Sequence, residues 1–272
     1  MIIDFHTHIF PDKIAKGAVG SLSECGGIPA HSDGTEVGLV SAIESAGVTM
    51  AVNLPVLTKP EQFSGTLRFA SEINKKYDTG RGILSFAGVH PDLPDPEGAI
   101  DEIVKAGFVG IKIHPDYQRT FIDDDRYVRL LSLAKESGLI TVTHAGFDVG
   151  FPDDPIRCTP ERAMRLLDKL GGYDKLVLAH LGGNMLFDEV YDTLAGEDVY
   201  FDTGYVLPVA TKDQFLKILE KHGEDKILFA SDSPWQNIAE CVEYIRSYKL
   251  GSAEEKIFSE NALKLLGLKE KI

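Results

Sequence analysis

The chain has 272 residues and carries 42 acidic against 28 basic side chains, for a net charge of −14 with histidine neutral. That acidity, without any Lys/Arg cluster, disfavours nucleic acid and anionic membranes, both of which reward basic patches. An apolar fraction of 43% is ordinary for a globular chain with a sizeable core, and no linker or low-complexity tract divides it, so one domain over 1–272 is expected. No run is apolar and long enough to span a membrane, and the N-terminus has no basic n-region, which leads to a cytoplasmic expectation. Cys25, Cys158 and Cys241 are far apart and form no CxxC, so they read as free thiols.

In chain order, the first apolar run is IIDFH from Ile2, and the opening MIIDFHTHIFP places His6 and His8 at its end. The stretch from Ile9 to about Thr35, with SECGGIP in its middle, reads as a long irregular loop of the kind that forms lids. EVGLVSAIESAG follows as a helix stopped at Gly47, then the run VTMAVNL from Val48. Further β-branched runs are GILSFAGVH from Gly82, FVGIKIH from Phe108, LITVTH from Leu139, LVLAH from Leu176, VYFDT from Val199 and KILFAS from Lys226. TPERAMRLLDKLGG reads as a helix with Thr159 as N-cap, Pro160 at its first position and a glycine pair at its end. The closing helix SAEEKIFSENALKLLG has Ser252 and Glu255 spaced as a capping box.

Eight such runs, apolar on both faces and alternating with helices, match the arithmetic of a (β/α)8 TIM barrel in the α/β class. A doubly wound open sheet competes, but no GxGxxG follows the first strand. In a barrel the active site lies at the C-terminal ends of the strands. Several runs here end in polar residues: His6 and His8, His90, Lys112 and His114, His144, His180, and Asp232 just after the last. His6 and His8 are two apart, so on a strand they face the same way, roughly 6.5–7 Å between Cα atoms. Neutral imidazole and carboxylate suit Zn²⁺, with Mn²⁺, Fe²⁺ or Co²⁺ as alternatives, and His6, His8, His144, His180 and Asp232 would leave a position open for water. His222 sits at a helix C-terminus where a cation is favourable, and His31 lies in a polar loop; neither needs a further role. His90 and His114, each before a proline, either line the pocket or merely end their strands.

Taken together, DFHTH, VTHAG, LAHLGG, FASDSPW and the closing ENALKLLG resemble the metal-dependent amidohydrolase superfamily. The likeness is to the amidohydrolase-related branch that includes the aminocarboxymuconate-semialdehyde decarboxylase type. The resemblance implies a (β/α)8 barrel with its metal held by His6, His8, His144 and Asp232. It implies that His180 ligates a second ion in two-metal members, or otherwise hydrogen-bonds substrate or water. Two-metal members bridge their ions with a carboxylated lysine or a glutamate, and Lys112 stands near that place; one ion is the favoured reading.

The mechanism expected first is hydrolysis, with metal-activated water and Asp232 as acid and base. His180 then stabilises the oxyanion or orients the water. Asp4, on the face of His6 but deeper, is a candidate anchor for a histidine tautomer. The alternative is non-oxidative decarboxylation of a small carboxylic acid on the same scaffold. A small-molecule substrate is expected, with Lys112, Arg157 and Arg119 as candidates to read an anionic group, His114 as a further substrate-binding candidate and Trp235 as an apolar wall. The insertion after the fifth strand, with Phe147, Asp148 and Phe151, and the first loop are where specificity is sought. A homo-oligomer is a fair prior, though no segment marks an interface. A binding protein built on a decayed enzyme would lack ligands, and every ligand type is present.

Overall fold

The computed structural model describes residues 1–77, 81–206 and 209–268, so the last four residues of the single-domain reading lie outside it. Nine short strands run parallel: β1 (Ile3–Thr7), β2 (Met50–Asn53), β3 (Gly82–Ser85), β4 (Ala87–Gly88), β5 (Gly110–Ile113), β6 (Ile140–Thr143), β7 (Leu176–Leu178), β8 (Tyr200–Asp202) and β9 (Ile227–Leu228). β1 to β3 pair in order, and β4 to β9 pair in order. The third apolar run therefore serves both sheets. It breaks at Phe86, whose backbone N–H turns to Asn53 O at 2.9 Å and whose ring packs edge-on against Phe5. Gly110 permits this, because a Cβ there would meet the Phe86 ring at 2.3 Å. The ring closes between the last strand and the first: Phe5 N–H donates to Phe229 O, Asp232 N–H to His6 O, and His8 N–H to Ser233 O, at 2.7–2.9 Å. The result is the (β/α)8 TIM barrel, with its eight strand segments read correctly from the alternation of apolar runs.

Eight helices follow the eight segments: α2 (Glu36–Ser45), α3 (Phe63–Lys76), α4 (Pro96–Lys105), α5 (Asp125–Glu136), α6 (Pro160–Leu170), α7 (Phe187–Thr193), α8 (Lys212–His222) and α9 (Ile238–Ser247). α6 starts and ends as its sequence demands, with Thr159 Oγ1 accepting from Arg162 N and Gly171 in the left-handed region at φ 61°. One further helix, α1 (Asp12–Gly26), lies where an irregular loop was expected. Its apolar residues Ile14, Ala15, Ala18, Val19 and Leu22 recur at helical spacing, but Gly17 and Gly20 obscure the pattern. The closing segment is α10 (Ser252–Glu255), a π-helical turn over Lys256–Glu260, and α11 (Asn261–Leu266). The capping box does not form, because Ser252 is already helical and Gly251 takes the cap position with no side-chain bond.

Two apolar layers hold the barrel. An inner cluster joins Ile3, Phe5, Met50, Val52, Ile140, Val142 and Leu228 to Leu263 and Leu266 of α11, which plugs the bottom. The larger outer cluster packs the helices on the strands' other face. His222 packs against that outer layer and is not the helix-terminal cation expected. It is buried, stacks on Phe201 with ring centroids 3.9 Å apart, and bonds Val199 O and Gly196 N–H. Cys25 is exposed, Cys158 and Cys241 are buried, and all three are free as expected. Among the described residues no helix is long and apolar enough to cross a membrane.

Candidate active site

At the C-terminal rim the first strand carries a local irregularity. Asp4 pairs with Ala51 but Thr7 pairs with Asn53, so β1 holds one extra residue between those pairs. Such a bulge re-aims side chains next to a site. Asp4 stays on the outer phase with Ala51, whereas His6 and His8 turn inward. Asp4 therefore does not anchor a histidine ring. Its carboxylate accepts from the backbone N–H groups of His6 and Ser231 and from Ser231 Oγ, and burial pushes it up to about 7. The expected anchoring is done by Asp202 at the end of β8, whose Oδ2 lies 2.8 Å from His6 Nδ1. Its Oδ1 accepts from His180 N at 2.9 Å and from Gly204 N at 3.0 Å. The sequence reasoning passed over Asp202, although VYFDT places an acid at the same rim position as the other candidates.

On the floor, His6 Nε2 lies 3.2 Å from His8 Nε2 and 3.4 Å from Asp232 Oδ1, and His8 Nε2 lies 3.1 Å from Asp232 Oδ1. Both rings spend their Nδ1–H elsewhere, His6 on Asp202 and His8 on Leu54 O at 2.8 Å. Burial, with Lys112 and the neighbouring imidazoles, holds the His6 ring far below its ordinary pKa, so it is neutral. With Nδ1 as the proton-bearing edge, the two Nε2 atoms are lone pairs that converge on a carboxylate oxygen. Burial acts to raise the Asp232 carboxyl, but the imidazoles around it more than offset this and hold it below the usual carboxylate range. A triangle of acceptors at 3.1–3.4 Å is electrostatically suited to a cation. Lys112 Nζ approaches His6 Nε2 at 3.0 Å, and burial lowers its ammonium to about 8 against the pull of Asp202 and Asp232.

His144 and His180 form the adjoining side. His144 Nδ1 faces His180 Nε2 at 3.0 Å, and the His144 ring stacks on His114 with centroids 4.4 Å apart. Burial lowers all three rings, His144 to about 3. His114 Nε2 lies 3.4 Å from Asp148 Oδ2. Thus His6, His8 and Asp232 come together as expected, while His144 reaches the floor beside His180 without touching the triangle. His180 and Asp232 both sit in the left-handed region, at φ 59° and 62°, a strained backbone that clusters at functional sites. Gly146 has φ 86°, and a Cβ on it would meet Asn184 N at 2.1 Å, so the turn after His144 packs directly on the loop after His180.

A cavity of about 660 Å³ opens above this floor. Its walls are mainly carbon: Ile14 and Leu22 of α1, Phe69 of α3, Phe147 and Val149 after β6, and Trp235. Lys112, His114 and Trp235 line it as expected. Arg157 corrects the expectation of a substrate contact. Its guanidinium is committed to Asp116 at 3.3 Å and Asp154 at 2.7 Å, and it does not line the cavity. Arg119 is exposed, and His90 only ends its strand, its Nδ1 accepting from Asp92 N. His31 is at the surface as expected.

The fold and rim together define a TIM-barrel protein of the histidine- and aspartate-lined kind. The amidohydrolase family model matches residues 3–268, and the chain belongs to that family. No curated protein matches it in sequence. Among solved structures it is similar to 2,6-dihydroxybenzoate decarboxylase from Rhizobium (TM-score 0.70, 17% identity, 98% of both chains). A 5-carboxyvanillate decarboxylase from Novosphingobium aromaticivorans, in complex with manganese and 4-hydroxy-3-methoxy-5-nitrobenzoic acid, is similar too (0.69, 15%, 98% of this chain and 96% of that one). An uncharacterized TIM-barrel protein from Bordetella bronchiseptica reaches 0.72 at 16% identity over 98% of both chains.

Proposed function

We propose that this chain is a metal-dependent decarboxylase of a small carboxylic acid, aromatic or otherwise apolar apart from its acid group. The observation that carries it is a carbon-walled cavity closing on the His6–His8–Asp232 triangle, with the Lys112 amine beside it. His6, His8 and Asp232 would hold a divalent ion, with His144 as the fourth ligand and Asp202 fixing the tautomer of His6. The decarboxylases among the similar structures, one of them with manganese, support this reading over hydrolysis. When bound, the ion supplies a Lewis acid that grips and polarises a substrate oxygen.

The remaining chemistry belongs to the protein. The apolar walls strip water from the substrate carboxylate, and desolvation of that anion favours its loss as neutral CO2. The bond between the acid's α-carbon and its carboxyl carbon breaks, and the electron pair remains on the α-carbon. A proton must then reach that carbon. The Lys112 ammonium and Asp148, its carboxyl raised by burial, are the acids placed to deliver it. His180, fixed by Gly204 O at 2.7 Å, presents Nε2 toward the floor to orient the substrate. Hydrolysis is the second reading, and the position of Lys112 favours it: carboxylated, that side chain would bridge a second ion.

The test is a panel of carboxylated phenols, amides and lactones offered to protein loaded with Mn²⁺ or Zn²⁺, with metal content measured alongside. CO2 release without a hydrolysed acid–amine or acid–alcohol pair is expected. Hydrolysis with two ions per chain would replace the proposal with the second reading. Asp232→Asn should lower activity more than about 100-fold, beyond the usual cost of disturbing an outer metal partner.

A further inference from the structure

Two buried polar atoms face each other just behind the floor. Among the described residues, His144 Nε2 and Asp116 Oδ2 have no hydrogen-bond partner, and they lie 3.9 Å apart. The Asp116 side chain is 3% exposed and that of His144 8%, so neither is open to bulk water. Asp116 is clamped from its other oxygen by Arg157 Nη1 at 3.3 Å, and Arg157 is itself held by Asp154 at 2.7 Å. The opposite edge of the His144 ring places Nδ1 3.0 Å from His180 Nε2. His180 spends its own ring proton on Gly204 O, which leaves its Nε2 a lone pair.

The neutral His144 ring carries one proton and has two edges to put it on. With the proton on Nδ1, the ring bonds His180 and leaves a bare Nε2 against a carboxylate oxygen. That strands two buried acceptors with nothing between them, which is costly. With the proton on Nε2, it is aimed at Asp116, and closing to about 2.8 Å makes a charge-assisted hydrogen bond. Nδ1 then gives up its neutral bond to His180 Nε2 at 3.0 Å, weaker than the charge-assisted bond that replaces it, and the two lone pairs converge on the floor as a cation site requires.

We propose that Asp116, clamped by Arg157, is a positioning residue that holds His144 in its Nε2–H tautomer and so presents Nδ1 as a ligand to the floor. This rests on the reading of that floor as a cation site. The Arg157 guanidinium fixes the rotamer of Asp116, and Asp154 keeps the guanidinium in place. Carboxylates that receive the second ring proton of a ligating histidine orient the ring and raise its basicity. An amide in that place can instead donate to Nε2 and favour the wrong tautomer, as in the catalytic triad when its aspartate becomes asparagine.

The experiment is a two-bond ¹H–¹⁵N correlation of the histidine rings in metal-free and zinc-loaded protein. His144 is assigned by the signals lost in His144→Gln. In the metal-free wild type the proton is expected on Nε2. Asp116→Asn should move it toward Nδ1 and weaken zinc binding about 10–100-fold, with Asp116→Glu recovering part of both. A wild-type ring protonated on Nδ1 overturns the proposal, whether or not the variants fold. So does an Asp116→Asn protein whose tautomer and zinc affinity match the wild type. Failure of the wild type to take up zinc or manganese at all would instead overturn the proposed metal site.

Discussion

A single proton on a buried ring governs one measurable property outside the site. His222 accepts from Gly196 N–H at Nδ1 and donates Nε2–H to Val199 O, a pattern that needs the neutral ring. Burial takes its pKa down to about 4, whereas in the unfolded chain it titrates near about 6.5. The unfolded state therefore binds the proton first as pH falls. Stability from this residue is complete above the unfolded value, declines between about 6.5 and 4, and is level below. The total is about 3 kcal/mol. Urea unfolding at pH 7 and 4.5 should show the wild type losing more stability than His222→Gln by up to that amount. Equal losses would mean the ring is already charged in the fold. Asp4 and Asp202 illustrate the same scale, since one extra residue in β1 decides which of two buried aspartates reaches the His6 ring.

At the scale of elements, α1 makes part of the cavity wall yet carries two glycines with no structural need for them. Gly17 and Gly20 have ordinary helical backbone, and a Cβ on either would meet nothing within 4 Å. Replacing each by Ala should stabilise the helix by about 0.5–1 kcal/mol, mostly by restricting the unfolded chain. Thermal denaturation of the double variant tests this, and destabilisation would show that α1 must bend at those positions. Gly146 stands at the opposite extreme. Gly146→Ala must displace the Asn184 backbone at a positive φ, so a loss above about 2 kcal/mol is expected by the same measurement. The two cases separate a glycine that hides a helix from the eye from one that lets two loops touch.

At the scale of the whole molecule, an ion on the floor would tie β1 to the loop after β9, the seam where the barrel closes. Binding to the folded state alone stabilises it by about 4 kcal/mol when the free ion stands at 1,000 times its dissociation constant. For a chain of this size that is roughly 10 °C. Chelation should lower the melting temperature by about that much and zinc or manganese should restore it, whereas an unchanged midpoint would argue against the proposed site. The barrel, its eight strand segments, the rim positions of His6, His8, His144, His180 and Asp232 and the caps of α6 were legible in the sequence alone. Each rests on local periodicity or on the rule that places a site at the strand ends. The helix in the first loop was present in the periodicity but hidden by Gly17 and Gly20, whereas the split of the third run at Phe86, the pairing of Asp202 with His6 and the turning of Arg157 toward Asp116 were decided only by tertiary structure. These depend on which distant groups share a cavity or a register shift, and neither periodicity nor composition carries that information.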